Sequence, residues 1–162
     1  MRHILTSVVL VVLLFPALAM GGEVTRDDLV ITNGLHYKKF TDVPFTGKVT
    51  GKSQGRIKKG KKDGPWVNYQ DNRRIESKVT FKDGKADGPW VEYYGNGQLW
   101  WKVTYKDGKK GGPSVTYFPD GQLWFKGTYK DGKLDGPWVK YREDGTVDET
   151  WTGTYKDGVK VD

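Results

Sequence analysis

The sequence predicts an all-β protein, an elongated antiparallel sheet of stacked β-hairpins that repeat every 24 residues. Three observations carry this expectation. Gly-Pro recurs at Gly64-Pro65, Gly88-Pro89, Gly112-Pro113 and Gly136-Pro137, each pair 24 residues after the last. Between these pairs apolar and polar residues alternate with a period of two, which a strand produces and a helix does not. Asn-Gly or Asp-Gly closes each alternating run, and these dipeptides tolerate the positive φ of tight hairpin turns. Self-similarity at such a period marks a repeat array, in which each unit buries its apolar surface against its neighbours.

In chain order the first element is a leader. Met1-Arg2-His3 is a short positive start, Ile4 to Phe15 is almost wholly apolar, and Ala17-Leu18-Ala19 has the small-x-small pattern of a cleavage site. Residues 1–19 therefore read as a secretory signal peptide. The apolar run of about a dozen residues is short of the ~20 that a spanning helix needs. Gly21 to Arg26 reads as a mobile remnant. Residues 20–44 form an N-terminal extension with a capping hairpin, Leu29–Thr32 and Leu35–Tyr37 around Asn33-Gly34. Residues 45–162 form the repeat array.

Each unit of the array reads as two strands. The first starts at the proline (Trp90 to Tyr94), turns at Asn96-Gly97, and the second runs from Gln98 to Lys106 before Asp107-Gly108. Val67/Val91/Val115/Val139 and Tyr69/Tyr93/Tyr117/Tyr141 form columns in the first strand. With Leu99, Trp101, Val103 and Tyr105 of the second, they are expected to make one apolar face. The opposite parity gives Glu76/Trp100/Trp124, Lys78/Lys102/Lys126 and Lys82/Lys106/Lys130, a basic face with two protruding tryptophans. At ~4.8 Å between strands, each repeat advances roughly 10 Å.

Tyr-Lys-Asp-Gly-Lys-x-x-Gly, at Tyr105 to Gly112 and again at Tyr129 to Gly136, resembles the MORN repeat. The 24-residue form with Gly-Pro-Trp and Asn-Gly-Gln-Leu resembles the bacterial MORN-repeat variant of the YwqK-like antitoxin family. The resemblance covers about Phe45 to Val159. It implies stacked hairpins in an elongated sheet and non-enzymatic binding of proteins or lipids.

Composition narrows the chemistry. With 27 Lys+Arg against 20 Asp+Glu the net charge is +7, and there is no Cys. Thiol catalysis, disulfides and Cys-ligated metals are excluded. Two His, one in the leader, do not make a multi-His metal site. Nine of the fifteen Asp directly precede Gly, so turn chemistry accounts for them and acid–base or calcium chemistry does not. Ser53, Ser77 and Ser114 have no matching base, and the solitary His36 reads as a packing residue. No catalytic, metal or cofactor-binding residue is expected, and no cofactor.

The expected function is that of a secreted or periplasmic, non-enzymatic module or scaffold that binds another protein, with an antitoxin or immunity-like role as one form. The alternative is an anionic lipid surface or cell-envelope glycan, bound through the basic face. The candidate contact residues are Trp100, Trp124, Lys102, Lys106, Lys126 and Lys130. Nucleic acid is not expected as a partner. A second copy of the chain, forming a homodimer, is one way to cover the apolar face.

Overall fold

A computed structural model describes residues 22–162, and the expected signal peptide lies outside them. The chain is a succession of short strands: β1 (Glu23–Thr25), β2 (Leu29–Thr32), β3 (Leu35–Lys38), β4 (Gly47–Thr50) and β5 (Ser53–Lys58). The central array follows as β6 (Lys61–Tyr69), β7 (Ile75–Lys82), β8 (Lys85–Tyr93), β9 (Leu99–Lys106), β10 (Lys109–Tyr117) and β11 (Leu123–Lys130). The end is more broken: β12 (Lys133–Leu134), β13 (Gly136–Lys140), β14 (Gly153–Lys156) and β15 (Val159–Lys160). One large sheet runs β1-β4-β5-β6-β7-β8-β9-β10-β11-β13-β14-β15, with β12 also on β11, while β2 and β3 form a separate hairpin. Every neighbour in the large sheet is antiparallel except β1 on β4. The predicted all-β array of consecutive hairpins is thus the observed architecture.

Two kinds of turn alternate along it. At Asp83-Gly84, Asp107-Gly108 and Asp131-Gly132 both residues have positive φ (+49° and +85°, +49° and +83°, +51° and +88°), as a two-residue primed turn requires. At Asn96-Gly97, Asp120-Gly121 and Asp144-Gly145 only the glycine does (+89°, +89° and +80°), which corrects the expectation of one turn type. There the Gly97 N–H donates to the Tyr94 carbonyl and the Tyr94 N–H to the Gln98 carbonyl, both at 2.9 Å. The Asn96 side chain accepts the Gln98 N–H at 2.9 Å, so its role is an Asx turn inside a longer loop. The Asp-Gly turns also stitch the units. Gly84, Gly108 and Gly132 each donate their N–H to a carbonyl of the preceding unit, Lys62, Ala86 and Lys110.

The first strand of each unit begins four residues earlier than the proline. Lys85 and Ala86 pair with Lys82 and Phe81, and pairing to β7 resumes only at Trp90 opposite Val79. Asp87-Gly88-Pro89 is the intervening bulge. Gly88 supplies φ +119°. Pro89, which has no N–H to donate, sits where the ladder to β7 is interrupted. Proline therefore marks a bulge here, and not the start of the strand.

Register also corrects the face assignment. Trp90 lies opposite Val103 and Val91 opposite Lys102; Trp66 lies opposite Val79 and Val67 opposite Lys78. Residues directly opposite in an antiparallel pair share a face. The Val67/Val91/Val115 column therefore belongs to the lysine face, and the Trp66/Trp90/Ser114 column belongs to the apolar one. Sequence alternation gives parity within a strand, but the bulge and the longer loop set the parity between strands.

The core follows from this. Val49, Ile57, Trp66, Val79 and Ala86 are buried together with Val24, and Leu29, Phe45, Phe81, Trp90 and Tyr105 pack on them. Val24 is 6% exposed on β1, so Glu23–Thr25 is an ordered edge strand of the core and not a mobile remnant. The β2–β3 hairpin lies over the beginning of the apolar face. His36 anchors it, donating its backbone N–H to the Gly60 carbonyl at 2.8 Å, with its Nδ1 2.9 Å from the same oxygen.

Candidate functional site

Beyond the hairpin the apolar face is a run of aromatic side chains that cover one another. Trp90 meets Trp101 and Tyr105 at ring-centroid separations of 6.4 and 5.2 Å. Trp138 meets Phe125 and Tyr129 at 5.9 and 5.6 Å. In the third unit Ser114 stands where the others carry Trp, and Trp101 Nε1–H donates to its hydroxyl at 3.1 Å. Lys110 lies over this surface, its Nζ 4.6 Å from the Trp101 ring and 5.1 Å from the Tyr129 ring, within cation–π range. Burial, reinforced by Glu92, pushes the Tyr105 phenol above its ordinary pKa; burial, then Tyr105, does the same to Tyr129.

The structure separates the tryptophans from the lysines with which alternation grouped them. Glu92 pairs with Trp101 and Tyr93 with Leu99, so Trp100 is the extra residue of a bulge; Trp124 has the same place between Phe125 and Leu123. A bulge re-aims side chains that strict alternation would send to the other face. The Trp124 and Phe125 rings accordingly lie 4.8 Å apart, and Phe118 stacks on Trp124 at 5.2 Å. Trp100 and Trp124 line one groove of about 320 Å³ with Glu92, Trp101, Lys110, Thr116 and Phe125. Trp100 keeps 40% of its surface exposed. Its ring lies 5.9 Å from Tyr94, whose hydroxyl donates to the Tyr117 carbonyl at 2.8 Å.

Of the four candidate lysines, none lines that groove. Lys102 and Lys126 stand opposite Val91 and Val115 on the other face. Lys106 and Lys130 border a cleft beside the Asp-Gly turns, with Tyr105 and Tyr129. All four are exposed. Among the described residues none forms an ion pair; the pairs present are Lys48–Glu23, Lys52–Asp71, Lys140–Asp148, Arg142–Asp148 and Lys156–Asp135. The sequence reading missed Glu92, Lys110 and Thr116 as groove residues. The available signal was the five residues between Tyr93 and Leu99, too many for a two-residue turn.

The MORN repeat variant matches residues 86–107 and 110–131, two adjacent units of the array. These units hold Glu92, Trp100, Trp101, Lys110, Thr116, Trp124 and Phe125, the whole groove. MORN repeats are commonly protein- or membrane-binding modules and are generally non-enzymatic. A search of curated proteins finds no match to the chain. Among the described residues no group of three or more His, Asp or Glu is placed to hold a metal ion.

Proposed function

We propose that this chain is a non-enzymatic repeat protein, exported by its leader to the periplasm or the exterior, that serves as a protein-binding module or scaffold. The observation carrying this reading is the groove between Trp100 and Trp124. Large, rigid aromatic side chains, partly exposed and flanked by one carboxylate and one ammonium, are the composition of a protein-contact hot spot. The antitoxin resemblance makes an immunity-type interaction, one protein neutralising another, the first form of binding to test. The double change Trp100→Ala and Trp124→Ala tests the assignment. Partner binding should be lost, while the melting temperature should move far less than for Trp66→Ala, at a residue only 3% exposed. Equal losses of stability would make the two tryptophans structural and remove the site.

A second reading is favoured by one observation, the columns Lys78/Lys102/Lys126 and Lys82/Lys106/Lys130, none of which forms an ion pair among the described residues. Regularly spaced cations without counter-charges attract an anionic lipid surface or an acidic glycan. Co-sedimentation with anionic vesicles or polysaccharide, lost in Lys102→Ala/Lys126→Ala and kept in Trp100→Ala/Trp124→Ala, would select this reading over the first.

A further inference from the structure

At the other end of the molecule, away from the aromatic groove, the β2–β3 hairpin does not close fully onto the sheet. Between them lies a pocket of about 370 Å³, within the ~300–1,000 Å³ typical of small-molecule sites. Its walls are apolar: Leu29 from the hairpin side, and Ile57, Trp66 and Phe81 from the sheet. Among the described residues its charged lining, Arg26, Lys61 and Lys62, is all cationic, and neither Asp nor Glu contributes to it.

Lys62 is the informative residue. The 24-residue column to which it belongs reads Lys62, Ala86, Lys110, Leu134, so an apolar side chain satisfies the repeat there. Ala86 is buried in the core. Lys62 is half-buried, its ammonium 4.3 Å from the Trp66 ring and 5.0 Å from that of Phe81. Among the described residues no carboxylate pairs with it. Burial, then the neighbouring Arg26, holds its pKa below the ordinary lysine value. A desolvated cation beside a second cation, at the mouth of an apolar pocket, is electrostatically incomplete without an anion.

We propose that this pocket binds an anionic amphiphile, a carboxylate-headed molecule. Its apolar body lies between the hairpin and the Trp66–Phe81 wall, and its head pairs with Lys62 and Arg26. The Gly60 carbonyl holds His36 and so keeps the hairpin wall in place. The whole pocket, Arg26 and the hairpin included, lies outside the matched repeats.

Isothermal titration with decanoate and with 1-decanol tests the proposal. Decanoate should bind at least about tenfold more tightly than decanol, the worth of one charge-assisted hydrogen bond. Lys62→Leu should bring the two ligands to similar affinity, whereas Lys110→Leu, in the same column but outside the pocket, should leave the difference intact. Arg26→Gln, a change at an exposed position, should narrow the difference and serves as the reporter if Lys62→Leu does not fold. Absence of decanoate binding, equal binding of acid and alcohol, or a preference unchanged in both pocket variants would overturn it. None of these outcomes depends on Trp100 or Trp124, so the test is separate from that of the protein-binding groove.

Discussion

Gly127→Val measures how strictly the aromatic face is packed. Gly127 lies opposite Trp138, because Phe125 pairs with Lys140 and Lys126 with Val139. A Cβ on Gly127 would stand 2.6 and 2.7 Å from Cδ2 and Cζ3 of the indole and closer still to Cε3. Carbon atoms rest at about 3.5–4.0 Å, so the ring must shift by about 1 Å or more. Ordering a glycine in a strand costs roughly 0.5–1 kcal/mol relative to alanine, a cost the substitution would relieve. Overpacking of this kind costs about 1–3 kcal/mol, which outweighs that gain. The melting temperature should fall by about 2–4 °C for each kcal/mol lost in a chain of this size. The array supplies its own control. Val79 is buried between Trp66 and Trp90, whose ring lies instead toward Trp101 and Tyr105, and Val103 is buried beside Ser114, so a valine fits at this place where no indole lies over it. In a Trp138→Ser background Gly127→Val should therefore be neutral or stabilising. Circular dichroism melts and urea titrations of the four proteins in this cycle give the coupling. An equal cost of Gly127→Val in both backgrounds would refute the packing account.

Backbone strain in a turn and a half-buried phenol can each be measured. Gly108 has φ +83° and no crowding neighbour, so Gly108→Val should cost roughly 1–2 kcal/mol from backbone strain alone; Lys109→Val, at an exposed site, should stay within about 0.5 kcal/mol by urea titration. Tyr129 keeps its proton in the folded state beyond the ordinary tyrosine value of 10.0. The unfolded chain releases it first, so stability should decline as pH rises through and above that value. Tyr129→Phe should flatten the decline in urea midpoints, and an unchanged slope would mean that the phenol is not desolvated.

The repeat was legible because its determinants are local. Gly-Pro, Asp-Gly and period-two alternation each act over a few residues, and four copies in register reinforce them. What failed was the relation between strands. Whether Val91 or Trp90 faces Val103 depends on the Tyr94–Gln98 loop and on the bulge at Trp100, and whether Trp90 faces Val79 depends on the Asp87–Pro89 bulge. A one-residue difference in any of these inverts the face of every side chain beyond it. Trp100 and Trp124 part from Lys102 and Lys126 because each is itself the extra residue of a bulge. Val24 was missed for another reason. Three residues of β1 carry too little pattern to identify a strand whose stability comes from its parallel pairing with β4. Of the nine aspartates read as turn residues, Asp83, Asp107 and Asp131 occupy positive-φ turn positions themselves, whereas Asp63 and Asp87 lie inside β6 and β8.

Site-specific photo-crosslinking in the producing cells tests the groove as the protein-contact surface. One probe replaces Thr116, inside the groove, and a second replaces Thr104, beside Lys102 on the opposite face. A discrete protein adduct is expected from position 116, absent from position 104 and abolished by Trp100→Ala/Trp124→Ala in an otherwise stable protein. An adduct that forms only from position 104, or one that survives loss of both tryptophans, would contradict that assignment.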